Sequence, residues 1–131
     1  MDQDQTGQRA FDGWRVLVVE DEFLIGDDIS LAFARRGVST IGPACTLEGA
    51  MQLLESSGKV DGAVLDINLQ GKMVFPLADA LRERCVPFIF ATGYSQSVIP
   101  DRYQTVPRCE KPLEPAKILD ALFSVTSRSA N

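Results

Sequence analysis

The sequence predicts an α/β fold built on a doubly wound, five-stranded parallel sheet. Short apolar runs rich in β-branched residues alternate five times with stretches of helical periodicity, the pattern of strands covered on both faces by crossover helices. At 131 residues, 45% hydrophobic and 24% charged, the chain has one domain's length and enough apolar material for a sizeable core. Right-handed crossovers and ligand binding beyond the carboxyl ends of the strands come with that architecture.

Val16 to Val19 is the first strand, apolar without a break, and it runs directly into Glu20, Asp21 and Glu22. Two unit charges about 4 Å apart repel by roughly 1 kcal/mol in water and roughly 4 kcal/mol near a protein surface. Three acids in a row therefore call for a helix start or a cation. Leu24, Ile25, Ile29, Ala32 and Phe33 recur at helical spacing behind Asp21 as candidate N-cap, and Gly37 is placed to end that helix after Arg35 and Arg36. Val38 to Ile41 reads as a second strand, and Thr46 to Glu55 as a helix carrying Leu47, Ala50, Met51 and Leu54, with Gly49 counting against it. GAVLDI, Gly62 to Ile67, is the third strand. A loop from Asn68 to Lys72 leads to a helix from Phe75 to Arg84, where Pro76 suits the first turn and Leu77, Ala80 and Leu81 form a face. PFIFATG, Pro87 to Gly93, is the fourth strand. Beyond it Pro100 and Pro107 limit any helix to a few residues, and Tyr94, Val98, Ile99 and Tyr103 give it no sustained face, so a shortened or mobile fourth helix is expected. The fifth strand lies around Val106 to Cys109, and a helix from Glu114 to Ser124 turns Ile118, Leu119, Leu122 and Phe123 to the core. Residues 1–13 are expected as a flexible polar N-terminus, 14–127 as the domain and 128–131 as a tail.

Charge and composition remove several function classes. Thirteen Lys+Arg against eighteen Asp+Glu give a net charge of −5, which disfavours a broad nucleic-acid surface. The polar start and the lack of any apolar run near the ~20 residues of a membrane span predict a cytoplasmic protein, neither exported nor inserted. Cys45, Cys85 and Cys109 are odd in number and widely separated, which suits reduced core cysteines rather than a disulfide framework or zinc site. The chain contains no histidine, so it holds no Ser-His-Asp triad, no Cys-His pair and no phosphohistidine of its own.

The strand assignments place five chemistry-bearing residues on one rim: Glu20 and Asp21 after strand one, Asp66 at the end of strand three, Thr92 at the end of strand four and Lys111 after strand five. Singly, each has an ordinary explanation as a helix-start acid, turn cap, strand residue or solvated charge. Jointly, three carboxylates make a hard oxygen site suited to Mg²⁺, and with a hydroxyl and an ammonium they supply the parts for phosphoryl transfer to a carboxylate. Asp66, standing singly after apolar Val64-Leu65, is the best nucleophile.

EDE after strand one, LDIN at strand three, ATG at strand four and KP after strand five, in this order, resemble the receiver domain of bacterial two-component response regulators over Trp14 to Ser127. The resemblance implies a flavodoxin-like fold, Asp66 as phosphoacceptor, and Asp21, Glu20, Asp66 and the Asn68 backbone carbonyl around Mg²⁺. It makes Thr92 the hydroxyl that meets the phosphoryl group and Lys111 its counter-charge before a cis Pro112. The donor would be a histidine kinase or histidine phosphotransfer protein, and a downstream signalling protein would read the result. A monomer that catalyses its own phosphorylation and slow dephosphorylation, with no separate substrate turnover, is expected. PFIFATGY further resembles the receiver subgroup marked by a FATGxY-like strand-four motif. Two departures stand out: Asn68-Leu69-Gln70 lacks the Pro usual after the phosphoacceptor, and Arg108 stands where an aromatic is common. They direct attention to Tyr94 and Tyr103 as residues that repack, and to the surface they form with Val106 to Cys109 as a partner interface. The chain runs out soon after the last helix, so a single-domain regulator acting as phosphate sink, relay shuttle or kinase regulator is expected. Two rivals are a flavin-binding protein, which EDE opposes by repelling a flavin phosphate, and a pseudo-receiver that binds partners without being phosphorylated.

Overall fold

A computed structural model describes residues 11–93 and 99–130, the last five as backbone alone. The alternation resolves into β1 (Arg15–Val19), α1 (Phe23–Ala34), β2 (Ser39–Ala44), α2 (Leu47–Ser56), β3 (Gly62–Asp66), a hairpin of β4 (Asn68–Leu69) and β5 (Lys72–Met73), α3 (Phe75–Glu83), β6 (Phe88–Thr92), a 3-10 turn at Asp101–Tyr103, β7 (Arg108–Glu110) and α4 (Pro115–Ala130). Five strands form one sheet in the order β2-β1-β3-β6-β7, every pairing parallel. The chain starts at β1, steps outward to β2, then crosses back to β3. This reversal opens a crevice at the carboxyl ends of β1 and β3.

Period-two alternation sends the strand residues to two cores. Leu17, Val19, Leu65 and Phe90 pack with Ala50 and Leu54 of α2 and with Leu77, Ala78 and Leu81 of α3. Val16, Val18, Val64 and Ile89 pack with Ile29 and Phe33 of α1 and with Ile118, Leu119 and Leu122 of α4. Fully burying each such Val, Leu, Ile or Phe contributes roughly 1.5–3 kcal/mol relative to exposure. Gly26 lets α1 approach β2 closely, since a Cβ there would lie 3.0 Å from Pro43 Cβ.

Several sequence expectations need correction. The N-cap of α1 is Glu22, not Asp21, and it makes no side-chain cap bond. Leu24 is 76% exposed, because it precedes Ile29 by five residues and so falls well off the buried stripe of Gly26, Ile29 and Phe33. Phe123 is likewise 45% exposed beside the Ile118–Leu119–Leu122 stripe, with its ring 5.7 Å from that of Phe11. Phe11 is itself buried against Trp14, so apolar packing begins before residue 14. Gly49 does not weaken α2, since it sits in the first turn, where its N–H donates to the Thr46 hydroxyl at 3.0 Å. The loop after Asp66 is a hairpin, turned at Gln70 and Gly71 with φ of 54° and 91°. No helix among the described residues is long and apolar enough to cross a membrane.

Candidate functional site

Strand register assembles the rim. Val19 pairs with Leu65, so the next residues, Glu20 and Asp66, emerge side by side. Asp66 pairs with Ala91, one residue before Thr92, and Thr92 pairs with Glu110, one before Lys111. The Lys111 backbone N–H donates to the Thr92 carbonyl at 3.1 Å, which ties the last two together. The Lys111–Pro112 peptide bond is cis.

Among the described residues, Glu20, Asp66 and Thr92 are the buried polar or charged ones. The Lys111 ammonium lies 3.2 Å from Glu20 Oε1, 3.2 Å from Asp66 Oδ2 and 3.4 Å from Glu22 Oε1. Glu20 Oε1 also accepts from the Glu22 backbone N–H at 3.1 Å, and Asp66 Oδ1 accepts from the Asn68 N–H at 3.4 Å. Glu20 Oε2 is buried with no hydrogen-bond partner among the described residues. Burial, followed by the charge of Glu20, pushes the Asp66 carboxyl up to about 7, with Lys111 opposing. Burial works to lower Lys111, but the Asp66 and Glu20 carboxylates outweigh it and hold the ammonium above its ordinary value. One ammonium does not offset three acids.

Glu20, Asp21 and Asp66 each offer a carboxylate oxygen, and these oxygens lie within 4.8 Å of one another. With Glu20 Oε2 buried and unsatisfied, this all-oxygen anionic set fits a hard divalent cation such as Mg²⁺. The Glu22 contact to Lys111 was not foreseen. Its signal was available in the EDE run, where residue i+2 of a tight exit returns toward the same rim.

The other singled-out residues separate. Tyr94 lies outside the described residues. Tyr103 is fully buried, its ring stacked on Phe75 at 6.0 Å and edge-on to Phe88 and Phe90 at 5.8 and 5.9 Å, and its hydroxyl donates to Asp79. The Arg82 and Arg102 guanidinium carbons lie 4.4 and 4.8 Å from the Tyr103 ring centroid. Arg108, half-buried on β7, pairs in register with Phe90.

No family profile matches the chain, and no curated protein matches it. Among solved structures it is similar to SdrG from Sphingomonas melonis Fr1, with 36% identity, 83% of this chain and 95% of SdrG covered, and a TM-score of 0.72. The BeF3-activated conformation of SdrG from Pseudomonas melonis Fr1 gives the same identity and coverage with a TM-score of 0.70. A CheY-like response regulator receiver domain protein from Methanospirillum hungatei JF-1 is 22% identical, with 89% of this chain and 96% of that one covered and a TM-score of 0.76, a likeness of fold.

Proposed function

Since this chain belongs to the response-regulator receiver domains, we propose that it takes a phosphoryl group onto Asp66 from the phosphohistidine of a histidine kinase or histidine phosphotransfer protein. An Asp66 carboxylate oxygen forms the bond to phosphorus as the donor's P–N bond breaks and its electron pair returns to the imidazole. The observation that carries this reading is the Lys111 ammonium held 3.2 Å from Asp66 in the β1/β3 crevice, a fixed positive charge beside the buried carboxylate that ends the central strand β3. Thr92, at the end of the neighbouring strand β6, would donate its hydroxyl to the incoming phosphoryl oxygens. Glu20, Asp21, Asp66 and the Asn68 backbone carbonyl would hold Mg²⁺, which when bound supplies positive charge to offset the phosphoryl oxygens. The 131 residues hold no histidine, so the donor phosphohistidine lies outside them.

The PFIFATG strand supports placement in the FATGxY-like subgroup, and the receiver would span residues 14–127 with Phe11 packed against its second core. The downstream consequence passes through protein contacts, as phosphate sink, relay shuttle or kinase regulator, in a cytoplasmic monomer with no nucleic-acid partner. Intact-mass spectrometry after incubation with acetyl phosphate and Mg²⁺ tests the chemistry. One phosphoryl group removable by hydroxylamine is expected on the wild type and none on Asp66→Asn. Equal uptake by both proteins would remove Asp66 from the role, and no uptake by either would favour a pseudo-receiver.

A further inference from the structure

We infer that Glu22 is a positioning residue for Lys111, an outer seat that keeps the ammonium beside Asp66 when a divalent cation engages the Glu20 and Asp66 carboxylates. This role rests on the reading of the rim as a cation and phosphoryl site, and it belongs to a residue outside the ligand set. Glu22 is the N-cap of α1, a place where a short side chain ordinarily turns inward to accept from the first helical N–H groups. Its carboxylate makes no such bond and instead lies 3.4 Å from the Lys111 ammonium. The backbone holds it there. The Glu22 N–H donates to Glu20 Oε1 at 3.1 Å, and the Glu22 carbonyl accepts from the Gly26 N–H, also at 3.1 Å.

Lys111 is anchored at the root of its side chain by the backbone bond to the Thr92 carbonyl, so its ammonium moves only as the flexible stem allows. The three acids around that ammonium differ in depth. Glu20 and Asp66 are buried, whereas the Glu22 side chain is 62% exposed. Glu20 and Asp66 also belong, with Asp21, to the converging oxygen set that fits a hard cation, and Glu22 lies outside that set. Lys111 and a cation therefore compete for the two buried carboxylates, while Glu22 stays free for the ammonium. In the metal-free chain an exposed pair of this kind contributes little, because the buried acids already hold the ammonium. Once those acids serve a cation, Glu22 is the partner that remains to Lys111 among the ion pairs of the described residues. Its weight rises at the stage where phosphoryl transfer to Asp66 needs the ammonium in place.

The experiment titrates Mg²⁺, with no phosphoryl donor, into the full chain and follows backbone and lysine ammonium signals by nuclear magnetic resonance. Wild type, Glu22→Gln, Lys111→Met and the double variant are compared, with retained signal dispersion establishing that each is folded. Glu22→Gln should weaken Mg²⁺ binding about fourfold when Lys111 is present. Beside Lys111→Met it should weaken binding no more than about twofold, because only the direct, screened attraction between carboxylate and cation is then lost. The Lys111 ammonium signal, assigned by its loss in Lys111→Met, should persist in Mg²⁺-saturated wild type and broaden through solvent exchange in saturated Glu22→Gln. Equal losses of affinity in the two backgrounds, or a Lys111 signal that Glu22→Gln leaves unchanged in the Mg²⁺-bound protein, would overturn the role of Glu22 while the cation site stands. Absence of Mg²⁺ binding by folded wild type would overturn both.

Discussion

Two clusters of charged and polar side chains flank β6, and they are built on opposite principles. At the rim, three carboxylates share one ammonium, Glu20 Oε2 has no hydrogen-bond partner among the described residues, and burial pushes Asp66 up to about 7. On the α3 side, Asp79 accepts from Tyr103 and pairs with Arg102 at 3.1 Å, and the Tyr103 hydroxyl bond, outweighing burial and aided by Arg102, holds the Asp79 carboxyl below its ordinary range. The second cluster satisfies its charges and fixes the β6–β7 connection to α3. The first leaves charge uncompensated, which costs stability in the isolated chain and makes the rim an anionic oxygen set compatible with a divalent cation.

If the α3 cluster is an anchor, its cost falls on folding. Tyr103→Ala removes a fully buried ring from among Phe75, Phe88 and Phe90 and should destabilise the protein by about 3–5 kcal/mol in urea unfolding. A cost under about 1 kcal/mol would show that the aromatic cluster does not anchor this connection. The rim should behave differently. Lys111→Met leaves Glu20 and Asp66 buried without their counter-charge, so the metal-free protein should lose on the order of 2 kcal/mol, discounted because Lys111 is partly exposed. Mg²⁺ should then raise the melting temperature of Lys111→Met more than that of wild type, and an equal rise would mean that the ion does not share those carboxylates. The smallest effects return to the anchor. Tyr103→Phe keeps the ring and loses the Asp79 bond, costing about 1 kcal/mol, and Arg102→Ala should cost no more than about 1 kcal/mol because that ion pair is half-exposed.

The contrast also marks what was legible in the sequence. The sheet could be read because Val16–Val19, Gly62–Asp66 and Phe88–Thr92 are apolar without interruption, and the rim because a parallel sheet places consecutive strand ends together. The anchor could not be read. Tyr103 has no periodic neighbours between Pro100 and Pro107, and its partners Phe75, Asp79 and Phe88 lie on other elements. From the sequence Leu24 and Phe123 read as core residues, because an apolar residue at the margin of a helical stripe is not distinguished from one inside it until the helix is docked. The hairpin of Asn68–Met73 was hidden by its length, two residues a side, although Gly71 and the Asn68 side chain that accepts from it at 2.8 Å are turn chemistry.

The proposal that the charge-imbalanced rim accepts a phosphoryl group is tested most directly by fluorine nuclear magnetic resonance of the full chain with beryllofluoride, a stand-in for the phosphoryl group, in the presence of Mg²⁺. Wild type should show bound-fluoride signals that disappear in Asp66→Asn and on removal of Mg²⁺, while Tyr103→Phe keeps them. Bound signals that persist in Asp66→Asn, or their absence from a folded wild-type protein, would contradict the account.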